Sequence, residues 1–113
     1  MANRRRGEVA AIIAGERWTL CLTLGGLAEL EDAFGVSDLS RLGERFSAGR
    51  LSSRDLATLL AIALRGGGHP VTDAALRDWP ASSLPEMAEA AAALLSATFG
   101  ETAPPDPTRP QEA

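Results

Sequence analysis

The chain contains no lysine, and all eleven basic residues are arginine. Chemistry that runs through a lysine amine is therefore excluded, which removes a Walker-type phosphate loop and a Schiff base. There is one cysteine, Cys21. It cannot form an internal disulfide or a metal cluster, it suits a reducing cytoplasm, and the role of a small buried hydrophobe is sufficient for it. His69 is the only histidine. Thr72 and Asp73 follow it in the same loop-to-helix junction, but nothing in that spacing activates a nucleophile, and a lone ligand does not hold zinc. A solvated or helix-capping loop residue is the expectation for it. Aromatic residues make up only 4% of the chain. The core must then be built from leucine and alanine at close range, and so thin a core favours a partner. Long apolar runs are missing too. The start MANRRRG carries charge like an export signal, but Gly15, Glu16 and Arg17 interrupt the run that follows, so neither export nor a membrane span is expected.

What is present fits one small domain. With 113 residues at 45% hydrophobic composition, two independent cores would be hard to fill. The net charge of −4 and a sequence pI near 4.9 oppose binding to a phosphate backbone, which requires clustered positive charge. No internal repeat is apparent.

Residues 7–35 carry the most information. Val9, Ala11 and Ile13 alternate with Ala10, Ile12 and Ala14; beyond Gly15, Trp18, Leu20 and Leu22 alternate with Arg17, Thr19 and Cys21. Period two predicts a β-hairpin. A turn at Ala14-Gly15 or at Gly15-Glu16 leaves Val9, Ala11, Ile13, Trp18, Leu20 and Leu22 on one face, because the alternatives differ by two positions in pairing.

Thr23 can cap a helix over 24–34 with Leu24, Leu27, Leu30 and Phe34 on one face and Gly35 as its stop. Glu29 and Asp32 fall opposite, whereas Glu31 projects into the apolar stripe between Leu24 and Leu27. It is read either as an ion-pair member with an arginine such as Arg17 or as a partner-contact residue. Ser37 is expected to cap a second helix over 38–48, with Leu39, Leu42 and Phe46 inward and Gly49 as its end. Ser52 and Asp55 have capping-box spacing with Leu51 and Leu56 as the staple, and Leu56 to Leu64 is apolar on more than one face, as a central helix would be. The run Gly66-Gly67-Gly68 reads as a hinge or helix stop rather than an anion cradle. Thr72 starts a short helix that must end before Pro80. Ser83 and Glu86 form a further capping-box spacing, with Pro85 in the first turn, for a last helix to Phe99 whose Met87, Ala91, Leu94, Leu95 and Thr98 share a face. Residues 101–113, ETAPPDPTRPQEA, are polar and proline-rich and read as a disordered tail. The expected fold is α+β, with an N-terminal β-hairpin packed on four to five short helices, one domain over 1–100 and the tail beyond.

The helices at 38–48 and 53–65 also allow a helix-turn-helix, with Arg41, Arg45, Arg50 and Arg54 as phosphate contacts. Asp38, Glu44 and Asp55 dilute that patch, so a solvated mixed-charge face is the simpler reading. The pairs Glu29 with Asp32 and Glu86 with Glu89 are helix neighbours that solubility explains as well as chemistry does.

The passage from Arg17 to Glu31, RWTLCLTLGGLAELE, resembles the small tail assembly chaperones of gene transfer agents and related long-tailed phages. The resemblance continues through Gly49-Arg50-Leu51-Ser52, Leu64-Arg65-Gly66-Gly67-Gly68 and Ala97-Thr98-Phe99-Gly100, covering roughly residues 7–100. It implies a non-enzymatic protein of the host cytoplasm, without cofactor or metal, that keeps the tape-measure protein soluble while tail tube subunits polymerise around it. Such a protein would be left out of the mature particle, and a homo-oligomer is compatible with it. No active-site residue is carried over. The partner-contact candidates are Trp18, Leu24, Leu27, Glu31, Phe34 and Leu94, with the strand edge at 8–14 as a second docking surface. A DNA-binding or regulatory module is the competing class, and an enzyme comes third.

Overall fold

A two-residue turn sets the register of everything N-terminal. In the computed structural model, which describes residues 7–47 and 51–99 apart from the side chains of Leu39 and Ser47, strands β1 (Val9–Ile13) and β2 (Glu16–Leu20) pair antiparallel with Val9 opposite Leu20 and Ile13 opposite Glu16. Ala14 and Gly15 are therefore the turn residues, and both have positive φ, 53° and 82°, as a type I′ turn requires. Val9, Ile13, Leu20 and Leu22 are buried and Ala11 and Trp18 half-buried, so the apolar face lies where the alternation puts it.

Five helices follow: α1 (Leu24–Phe34), α2 (Leu39–Ser47), α3 (Ser53–Gly66), α4 (Asp73–Arg77) and α5 (Leu84–Phe99), with a 3₁₀ turn over Ala81–Ser83 before the last. The fold is α+β, as expected. Thr23 caps α1 by accepting from the Gly26 N–H at 3.0 Å, and Gly35 closes it in the left-handed conformation. The box at α3 is reciprocal: Ser52 Oγ accepts from the Asp55 N–H at 3.0 Å and Asp55 Oδ2 from the Ser52 N–H at 3.4 Å. Thr72 caps α4 in the same manner through the Ala75 N–H.

The centre of the molecule is α3. Every residue from Leu56 to Leu64 except Thr58 is buried, and the hairpin, α1, α4 and α5 all pack on this helix. A recognition helix must present a face to the DNA groove, and α3 has spent its faces on the core. Arg45, one of the arginines in the helix-turn-helix reading, is held by Asp55 at 3.1 Å and lies over the Phe34 ring.

Three local expectations are corrected. Asp38, not Ser37, caps α2, its Oδ1 accepting from the Arg41 N–H at 2.8 Å. Leu24 is 84% exposed. The buried side of α1 is centred on Gly26 and Leu30, and at about 100° per residue Leu24 projects roughly 140° from that centre. Glu86 does not reach back to Ser83; its Oε1 accepts from the Ala14 N–H at 2.8 Å, fastening the hairpin turn to α5. Replacing Glu86 with alanine should cost about 1 kcal/mol and speed amide exchange at Ala14. Unchanged exchange there would show that this bond is not populated in solution.

The glycine run ends the helix, as expected, with Gly66 the last residue of α3 and Gly67 its C-cap. It also has a packing role that the sequence did not signal: a Cβ at Gly66 would fall on the Cys21 carbonyl oxygen, one at Gly67 on the Thr19 carbonyl oxygen. These glycines let the end of α3 touch the hairpin backbone, and the Cys21 N–H donates to the Ala63 carbonyl at 3.0 Å in the same contact. The expectations for Gly49, Arg50, Gly100 and the tail at 101–113 lie outside the described residues.

Candidate functional site

The outer flank of α1 is built by helical spacing. Leu24, Leu27, Glu31 and Phe34 fall within about 80° of one another around the axis. Leu24 is exposed while Leu27, Glu31 and Phe34 are half-buried, so the flank forms an apolar stripe open to solvent with a single carboxylate in it. Glu31 has no ion-pair partner among the described residues, and Arg17 is exposed elsewhere on the surface. Because Leu24 is not part of the buried face, Glu31 lies on its margin rather than at its centre. The acid that does pair on this helix is Glu29, whose Oε1 meets Arg65 Nη2 at 3.2 Å; Arg65 also reaches Asp73 and the Val71 carbonyl, tying α1, α3 and α4 together.

Two of the candidate contact residues are placed elsewhere. Leu94 is fully buried in the core and offers no surface to a partner. Trp18 packs on Trp79 with ring centroids 5.4 Å apart and against the edge of His69 at 4.9 Å, and its indole nitrogen is buried without a hydrogen-bond partner among the described residues. His69 has a role that the sequence did not signal: its Nε2 accepts from the Thr19 N–H at 3.1 Å, so the ring closes the outer edge of β2. The nitrogen that accepts carries no proton, which puts the ring's proton on Nδ1.

The edge at residues 8–14 is more open. Ala10 and Ile12 are exposed, Ile12 at 57%, beside a recess of about 540 Å³ that Glu86, Glu89, Ala90 and Ala93 of α5 line. A second cleft, of about 370 Å³, lies where α3 begins, α4 ends and α5 starts. Trp79, Pro80, Leu84 and Met87 give it apolar walls, Arg54 and Arg77 stand in its lining, and no acidic residue does among the described residues. Sequence reading missed this cleft, since its residues come from three segments with no shared period.

No three His, Cys, Asp or Glu side chains among the described residues come together as a metal-binding group, and no described helix is long and apolar enough to cross a membrane.

A family model described as phage tail tube protein, GTA-gp10, matches residues 6–101. The chain belongs to this phage tail protein family. Membership extends from the start of the hairpin to the end of α5, so both the α1 stripe and the cleft are part of the family domain. It establishes a role connected with the tails of phages and gene transfer agents. No curated protein and no solved structure matches the chain.

Proposed function

We propose that this tail-family protein is a tail assembly chaperone, which holds an apolar helical segment of the tape-measure protein and releases it as tail tube subunits polymerise. The observation that carries the reading is the α1 stripe, where Leu24 is 84% exposed beside the half-buried Leu27 and Phe34. A helix laid on such a stripe buries apolar area at i, i+3 and i+10, with the Glu31 carboxylate at i+7, the spacing of helix-in-groove recognition. Binding and release need no cofactor and no turnover, and the work is done in the host cytoplasm before the particle is complete.

Co-expression should raise the soluble fraction of the tape-measure protein, and the effect should persist at high salt, since apolar burial is not screened as ion pairs are. Glu31→Gln should weaken capture while leaving the fold intact, because no ion pair among the described residues depends on it. Deleting the gene should leave heads intact and tails absent or short. Normal tails in the deletion strain would sink the proposal.

The family description favours a second reading, in which the chain is itself a tube subunit. Finished particles separate the two: a tube subunit is present there in many copies, a chaperone is not. Salt-sensitive DNA binding with no effect on tape-measure solubility would instead point to the regulatory module.

A further inference from the structure

The rest of the chain closes one edge of the hairpin and leaves the other open. Ala10 lies opposite Thr19 and Ile12 opposite Arg17. In a two-residue hairpin the pair beside the turn, here Ile13 with Glu16, exchanges both bonds, and non-bonded and bonded pairs alternate from there. The backbone groups of Thr19 and Cys21 therefore point away from β1. Both N–H groups find acceptors, His69 Nε2 for Thr19 and the Ala63 carbonyl for Cys21. By the same parity the N–H and C=O of Ala10 and Ile12 point away from β2. No hydrogen bond reaches them from any described residue. The Ala14 N–H, next along that edge, is taken by Glu86, so the opening runs over Ala10 and Ile12 and stops at the turn.

This open edge is one wall of the 540 Å³ recess, and α5 is the other. Ala90 and Ala93 keep the helix wall low, which leaves room for the side chains of a strand laid against it. Glu86 and Glu89 stand exposed in the same wall; neither has an ion-pair partner among the described residues, and no basic residue among them lines the recess. The site thus offers backbone groups that gain from a strand, an exposed Ile12 that gains from apolar cover, and two carboxylates that gain from a cation.

We propose that a partner protein adds an extended segment to β1 at Ala10 and Ile12, seated as a third strand beside α5, and that this segment alternates apolar residues with arginine or lysine facing Glu86 and Glu89. A helix does not serve, because its backbone groups are spent on its own bonds and leave none for the strand edge. The β1 strand of a second copy serves less well: its VAAII carries no basic residue and would leave both carboxylates uncompensated. The edge and the α1 stripe are different elements, so the inference does not depend on the partner assigned to that stripe.

The test uses the full chain and a short blocked peptide that alternates valine with arginine. With the peptide at about ten times its dissociation constant, amide exchange at Ala10 and Ile12 should slow about tenfold, while Thr19 on the closed edge is unchanged. Glu89→Arg should weaken this peptide by about two- to fivefold, the usual worth of an exposed ion pair, and a peptide alternating valine with glutamate should bind that variant more tightly than the parent. Ile12→Pro should weaken the arginine peptide by about tenfold; the N–H it removes is on the open edge, so the ladder to β2 is kept. Unchanged exchange at Ala10 and Ile12 with the arginine peptide present would overturn the proposal. So would equal binding of the two peptides by the parent chain, or slowing that grows with protein concentration in the absence of peptide, which would assign the edge to a second copy.

Discussion

Gly66→Ala is expected to destabilise the protein by about 1–3 kcal/mol, the cost of forcing atoms into a filled space. The sign is what makes the result decisive. In an ordinary helix the same change would stabilise by roughly 1 kcal/mol, because alanine is the better helix former. At Gly66 the new methyl would meet the Cys21 carbonyl oxygen, a backbone atom that cannot rotate away, and at Gly67 it would meet the Thr19 carbonyl. Gly43, within α2, has open space where a Cβ would go and serves as the control. Urea unfolding should show Gly43→Ala gaining stability and Gly66→Ala losing it. If both gain, α3 does not approach the hairpin closely and the Gly66–Gly68 run is only a helix stop.

Leu94→Ala should cost about 2–5 kcal/mol, since the side chain is fully buried and its removal adds a cavity to the lost transfer free energy. Leu24→Ala should change stability by less than about 0.5 kcal/mol, because the leucine is exposed at the first turn of α1. Partner capture should reverse the ranking: Leu24→Ala weakens tape-measure binding per folded molecule, and Leu94→Ala leaves it unchanged. For a core of this composition the Leu94 loss is a large share of the total stability. A stable Leu94→Ala protein that no longer holds its partner would return Leu94 to the binding surface and contradict its burial.

The helices α1 and α3 were legible because each combines a periodic apolar pattern with local end signals, and α4 was legible from its cap. Thr23, Ser52 and Thr72 satisfy backbone N–H groups three residues ahead, a contact fixed by the chain's own geometry. The hairpin face was legible for a similar reason, since strand parity survives uncertainty about the turn. The α1 stripe followed in part: spacing placed Leu24, Leu27, Glu31 and Phe34 on one flank, but not which part of that flank the core would cover.

Local pattern, then, determined the elements, the caps at Thr23, Ser52 and Thr72, and the apolar face of the hairpin, because each depends on residues within a few positions of one another. Only the tertiary structure decided that Leu24 is exposed and Leu94 buried, that Glu86 binds the hairpin turn, that His69 closes the β2 edge, and that Trp79 meets Arg54 and Arg77 in one cleft. Each of these joins segments far apart in the chain, such as the 72 positions between Ala14 and Glu86. A carboxylate's spacing along a helix is the same whether it caps its own helix or a distant turn, and the choice falls to whichever N–H the packed core brings within reach.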